Sequence, residues 1–394
     1  MPVVLSLIPA KKEASKPPGL LAWGLLFLLA LSIGFILTAF FFSPEGRERN
    51  LWFWLQAVLL PTVIWLLLFC VRFLFYDHSV KYTTSWNKHH DNRRNELIEF
   101  AQRPLIVVSQ SIMTGAGCFG HATAITNNLL KIASTKPVNG EIPIPHSSIK
   151  KDNSFDSAIA MLSHVFTHLK NDLKLPEQGE FKKNGVRVKL DIDCELNQQE
   201  ILKVWETIWK ACLPEEVNVE FVAKQEGVML LDEWLDDLRN DYGYLLVISV
   251  QLHEQAQKNS AEAAIAMLFS GINLNQPDDK LMTYVHRPVQ GDITSSLNDA
   301  VLWGKNEATE VEGIWSSEGE QAYLPDMLIA FNQMAGTTPD IYRINAALGY
   351  AGIAAGWLTL TIAIEQSKIS KRPQLVSYSD HRNVFMMVKS SSRV

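Results

Sequence analysis

Two long apolar runs near the start of the chain constrain everything that follows. From Gly19 to Phe42 no charged residue occurs, and LLAWGLLFLLALSIGFILTAFFF is long enough to cross a hydrocarbon core of about 30 Å as a helix. From Leu51 to Tyr76 the run LWFWLQAVLLPTVIWLLLFCVRFLFY is interrupted only by Arg72, close enough to its end for the side chain to snorkel. A cleaved leader would carry a shorter apolar core and a small-residue cleavage site. Residues 19–42 and 51–76 therefore predict a transmembrane helical hairpin, with Pro61 tolerated mid-span because neighbouring groups can satisfy the carbonyl it frees.

Orientation follows from the flanking cations. Lys11, Lys12 and Lys16 precede the first run, and Arg72, Lys81, Lys88, Arg93 and Arg94 accompany or follow the second, against Arg47 and Arg49 in the short connecting loop. Both outer flanks read as cytoplasmic. The expected organisation is a cytoplasmic tail over 1–18, the hairpin over 19–76, a polar juxtamembrane connector over 77–98, and a cytoplasmic domain over 99–394. A bacterial inner membrane fits this arrangement.

Composition narrows the partners. The 394 residues are 47% hydrophobic and 20% charged, too apolar for a disordered chain. A net charge of −6 offers phosphate backbones no general attraction, so nucleic acid is not expected as a partner. Cys70, Cys118, Cys194 and Cys212 lie far apart with no CxxC pair, which excludes a zinc ribbon or a disulfide framework and suits a reducing compartment.

Beyond the connector, strand-like and helix-like segments alternate. LIVVSQ runs into the glycine turn GAGCFG and the helix-period segment HATAITNNLLKIAS; FDSAIAMLSHVFTHLKNDL precedes the strand-like VRVKLDIDC; and QQEILKVWETIWKAC, VNVEFVA, LLDEWLDDLRND and YLLVISVQLH follow. That alternation predicts a mainly parallel sheet covered by helices on both faces. The late segment INAALGYAGIAAGWLTLTIAIEQSK is long and apolar, but Glu365 and Lys368 follow quickly and Asn345 and Thr361 interrupt it. It is expected to be a buried core helix and not a third span.

At this point the residues resemble the thiolase and ketosynthase superfamily. RPLIVVSQSIMTGAGCFGHATAITNNLL is similar to the family's opening strand, glycine turn and helix. YGYLLVISVQLH followed by SAEAAIAMLFSG resembles the central strand and the E-G-A-A-A segment, and LGYAGIAAG, Leu348 to Gly356, resembles the G-H-x-x-G-A-A-G turn and helix. The resemblance covers about residues 100–394 in fragments and implies a layered α/β/α/β/α domain and a possible homodimer.

It also implies a chemistry that can be checked position by position. The family uses a Cys on a strand-to-helix turn, activated by a helix N-terminus, and two His, or His and Asn, that stabilise an oxyanion. The corresponding turn, VEFVAKQEGVMLLDEW, holds Lys224, Gln225 and Glu226 but no Cys. Tyr350 stands where the G-H-x-x-G histidine would be, and GIWSSEGEQAYLPDMLIAFNQM contains no His. The expectation is a domain without catalytic, cofactor-binding or metal residues.

Other features read more simply. His164 and His168 stand four apart on a helix, a spacing that can share a metal, but no third ligand is nominated. His89, His90, Arg93 and Arg94 either meet anionic headgroups or form the inner topological flank. Asp232, Glu233, Asp236 and Asp237 read as a solvated face or the rim of a docking site for a basic partner. No GxxxxGK, GxGxxG or GxSxG sequence occurs. The function expected is that of a membrane-anchored, non-catalytic binding or assembly module with a protein partner. The alternatives are an acyl-transfer or acyl-binding enzyme using Cys118 or Cys212, and an accessory or immunity protein of a secretion system.

Overall fold

The computed structural model describes residues 3–41, 51–135, 142–149, 157–223, 226–274, 282–318, 323–379 and 382–391. Arg47, Arg49, Phe42, Lys224 and Gln225 lie outside them. The chain divides into two compact units, one spanning Val4–Leu97 and the other built from Ile98 onward.

In the first unit, α1 (Leu20–Phe41) is followed by α2 (Leu51–Trp54), a π-turn (Leu55–Leu59) and α3 (Leu60–Ala101). Both apolar helices are long and apolar enough to cross a membrane. The π-turn has a cause in Pro61, whose ring and missing N–H disturb the ladder at the carbonyl four residues earlier, that of Ala57. Gly34 of α1 faces this disturbance: a Cβ there would collide with the Pro61 ring and come within 3.0 Å of the Ala57 oxygen. Nearer the other end, Trp65 Nε1 donates to the Trp23 carbonyl at 3.1 Å, and the Trp65 ring stacks on Phe69 at 5.4 Å. The connector expected after Tyr76 is no break at all, because α3 runs on without interruption to Ala101.

In the second unit one large sheet has the order β12-β11-β13-β14-β9-β1-β8-β6-β4-β5. Its first half comprises β1 (Leu105–Thr114), β4 (Val186–Asp193), β5 (Asn218–Phe221), β6 (Tyr244–Gln251) and β8 (Ala263–Ser270). The second comprises β9 (Met282–Val285), β11 (Gly313–Glu318), β12 (Asp340–Arg343), β13 (Gln374–Ser379) and β14 (Asn383–Ser391). Counted along the chain, each half carries its strands in the spatial order third, second, fourth, fifth, first. In each, the fifth strand is antiparallel to both neighbours, and the other contacts are parallel. The halves join where β1 and β9 pair antiparallel over Leu105–Val107. The domain is thus an internal duplication. The mainly parallel sheet expected from the sequence is corrected to a mixed one, because β6 to β8 and β13 to β14 are joined without the helical crossover that a parallel connection requires. Three minor strands, β2 (Ser134–Thr135), β3 (Ile144–Ser147) and β7 (Ser260–Ala261), form a small side sheet, and β10 (Val289–Gln290) extends β14.

Side-chain alternation sets the layers. On β6, Leu245 and Val247 point into one core while Leu246, Ile248 and Val250 point into another. The second of these cores lies under α5 (Ala158–Asp172), α6 (Gln178–Asn184) and α7 (Gln198–Trp209). On the other half, Ile314 and Leu375 face α9 (Ile293–Trp303) and α10 (Leu324–Ala335). Between the half-sheets lie α4 (His121–Thr126), α8 (Leu230–Asp236), α11 (Ile344–Leu348) and α12 (Ala355–Ser370). The result is α/β/α/β/α. α12 is buried from Ala355 to Ile364 without a polar face, because both sides of it are covered by sheet; it is a core helix, as its sequence indicates. Two helices are shorter than their sequences suggest: α4 ends at Thr126, and LLDEWLDDLRND breaks after Asp236 into a 3-10 turn, Leu238–Tyr242.

Candidate functional site

Three turns converge where the resemblance places chemistry, at the ends of parallel strands bordering the central helix layer. The first follows β5. The Val222 N–H donates to Leu190 O at 2.8 Å, and the Ala223 N–H donates to Glu226 Oε2 at 3.1 Å, so Glu226 closes the turn on itself before Gly227 and α8. The described residues of this turn carry neither thiol nor hydroxyl.

The second is Leu348–Ile353, which leads into α12. Tyr350 is bound by its main chain: its N–H donates to Asn259 O at 2.9 Å, and its carbonyl accepts from the Ala261 N–H at 2.9 Å. The Ile353 N–H donates to Gln251 Oε1 at 3.1 Å, and Gln251 Nε2 donates to Asp193 Oδ2 at 2.8 Å. Gly352 is held at φ +52° with the Gln251 amide where a Cβ would stand. Next to it Asp191, on the inner face of β4, accepts from Trp357 Nε1 at 3.0 Å. Burial pushes the Asp191 carboxyl up to about 6; the Trp357 bond opposes the shift, and the charges of Glu226 and Asp193 add to it.

The third turn follows β11. Ser317 Oγ donates to Asn345 Oδ1 at 2.8 Å, and Asn345 Nδ2 donates to the Glu318 carbonyl. The rest of that loop, 319–322, is outside the described residues.

Beside Tyr350 the structure assembles a polar cluster that no sequence signal nominated. Glu262, 2% exposed, accepts from Ser148 Oγ (2.7 Å), the Ile149 N–H (2.8 Å) and the His253 N–H (3.2 Å), holding two loops together. Ser260 Oγ donates to Gln257 O at 2.7 Å and lies 2.7 Å from His146 Nδ1. Burial lowers the His146 imidazole, with the nearby Glu262 carboxylate opposing the shift. Only Glu262 could have been flagged beforehand, as the acid of SAEAA; His146 and His253 arrive from loops with no pattern.

The cysteines are dispersed. Cys118 sits in the turn after β1, Cys194 follows β4 with its thiol pushed up by burial, and Cys212 ends a 3-10 turn, Lys210–Cys212. His164 is exposed on α5 and His168 half-buried; among the described residues no group of His, Cys, Asp or Glu is arranged to hold a metal. The acidic rim reading is corrected. Asp232 and Asp236 both converge on Nη1 of Arg287, itself 2% exposed, and Asp237 pairs with Arg239 at 2.7 Å. Of the four, Glu233 is the exposed one. His89, His90, Arg93 and Arg94 lie 13 to 18 residues beyond Tyr76 on a continuous helix, about 20–27 Å along its axis.

No protein-family model and no curated protein matches the sequence. Among solved structures, the chain is similar to the ishigamide ketosynthase/chain length factor (11% identity, TM-score 0.48, 73% of this chain and 99% of that one). It is similar to acetamide-bound OleA of Xanthomonas campestris (12%, 0.47, 73% and 99%) and to 3-oxoacyl-(acyl carrier protein) synthase III, FabH, of Xanthomonas oryzae pv. oryzae (13%, 0.45, 73% and 98%). The fold is thiolase-like, and the strand order and directions of the duplicated halves carry that statement.

Proposed function

We propose that this protein is a membrane-anchored, non-catalytic thiolase-like module that holds a protein partner at the cytoplasmic face of a bacterial inner membrane. One observation carries the reading. At the turn where the resemblance calls for an oxyanion-stabilising histidine the chain has Tyr350, and the N–H groups of Tyr350 and Ile353 in that turn are already spent on Asn259 and Gln251. A donor committed to the protein's own carbonyl has nothing left for a substrate. The hairpin adds orientation and local concentration, which serve a binding protein as well as an enzyme. Two copies pairing through an exposed sheet edge, β5 or β12, are compatible with this role.

The test is incubation of the full-length, detergent-solubilised protein with acyl thioesters, read by intact mass and by thiol labelling. No adduct is expected, and Cys118, Cys194 and Cys212 keep their labelling. An acyl group on any cysteine overturns the proposal.

A further inference from the structure

The segment preceding α1 is bound along one stripe of α3. Trp86 Nε1 donates to Ala10 O at 3.3 Å. The Lys12 N–H donates to Asn87 Oδ1 at 2.9 Å, and the Lys12 carbonyl accepts from Asn87 Nδ2 at 3.0 Å, so a single side-chain amide pairs with both polar groups of one residue's backbone. The Lys12 ammonium donates to Tyr82 Oη at 2.8 Å and stands 4.4 and 4.3 Å from the Tyr82 and Trp86 ring centroids. Lys11 Nζ lies 2.7 Å from the Asp91 carboxylate, and the Ser15 and Ser79 hydroxyls are bonded to each other. Ser79, Tyr82 and Trp86 follow at helical spacing and share a face, and Asn87 and Asp91, four apart, flank it.

Each contact recognises a different property of the bound segment. Asn87 reads backbone, the two rings and the tyrosine hydroxyl read a cation, and Asp91 reads a second cation beside it. The helix needs such a cover. Between Asp77 and Asn92 it carries Ser79, Val80, Tyr82, Thr83, Thr84, Ser85, Trp86, Asn87, His89, His90 and Asp91, nearly all of them weak helix formers, in a stretch that packs little apolar surface.

We propose that this stripe of α3 is a peptide-binding site for a Lys-Lys segment, that the chain's own residues 10–15 occupy it, and that the positive charge of Lys12 decides occupancy. The tail is then a detachable strap. Neutralising Lys12 frees it and loosens the polar half of α3.

Hydrogen–deuterium exchange on the full-length protein in lipid nanodiscs tests this. Lys12→Gln and Asn87→Ala are expected to speed exchange across 79–92 by about tenfold, while Lys12→Arg stays within about twofold of the parent, since arginine retains the cation over the rings. Amides of β6 and β8 should not change. A synthetic peptide of residues 8–16 added to Lys12→Gln should restore protection, and the same peptide with glutamine at both lysines should not. Unchanged exchange in Lys12→Gln and Asn87→Ala, equal loosening in Lys12→Arg, or failure of the Lys-Lys peptide to restore protection would each overturn the proposal.

Discussion

At Asp191 burial and hydrogen bonding pull in opposite directions. With its carboxyl raised from 3.8 to about 6, the folded chain holds a proton that the unfolded chain has released once the pH passes about 4. Stability therefore falls as pH rises through that window, and the full penalty, about 3 kcal/mol, is present above about pH 6. Asp191→Asn keeps an oxygen for Trp357 and removes the charge. Urea midpoints should show the variant more stable than the parent at pH 7.5 and equal to it near pH 4; equal midpoints at both would contradict the assignment. Arg287 presents the reverse case. Its removal in Arg287→Met leaves Asp232 and Asp236 facing each other with no cation in a buried setting. The expected loss is about 3–5 kcal/mol, seen as a lowered melting temperature. From the sequence the same two carboxylates looked like solvated charges four apart, because Arg287 is 51 residues from the nearer of them.

At the scale of elements, the glycines of LGYAGIAAG have separate tasks. Gly349 sits at φ +96° with its missing Cβ against the Ser260 carbonyl, Gly352 at φ +52° against Gln251, and Gly356 3.0 Å from a Val228 methyl. The Ser260 backbone cannot retreat as a flexible side chain can, and at Gly352 the positive φ strains a β-branched residue even where Gln251 moves away, so Gly349→Ala and Gly352→Val should each cost about 1–3 kcal/mol or more, read as lower melting temperatures of the purified protein. Tolerance of both would mean that the turn is looser than its contacts indicate. The helical hairpin repeats the theme, since Gly34 makes room for the Pro61 ring and the π-turn before it. Gly34→Leu should part the two helices there, and a pair of spin labels on neighbouring positions of α1 and α3, compared with and without the substitution, should report a longer distance in the variant. The glycine pattern of the turn was legible because a run of small residues before an apolar helix signals close packing. The π-turn was not, because which neighbour answers a proline depends on the facing helix.

At the scale of the whole molecule, the cation asymmetry around the two apolar helices predicts that the chain after α3 and the tail before α1 face the cytoplasm. A fluorescent reporter fused after Val394 should mature, and a phosphatase that works only in the periplasm should be silent there; the converse would overturn the orientation. The duplication belongs to this scale too. Both halves share strand order and direction while their strands differ in composition, Tyr244–Gln251 apolar but for Ser249 and its last residue and Gln374–Ser379 with two serines in six, so no repeat shows in the sequence.

What the sequence alone determined about this protein is what can be read from short spacing. Apolar length marked the two helices, residue period marked most strands and helices, and glycine placement marked the turn before α12. Only the tertiary structure decided which distant groups share a buried space. It brought Asp191 to Trp357, Glu262 to the loop of Ser148 and Ile149, Arg287 to α8, and the tail lysines to α3. Such pairs contact across 50 to 170 residues of chain, where the hydrophobic cores position the backbones first and the polar side chains take the partners left within reach.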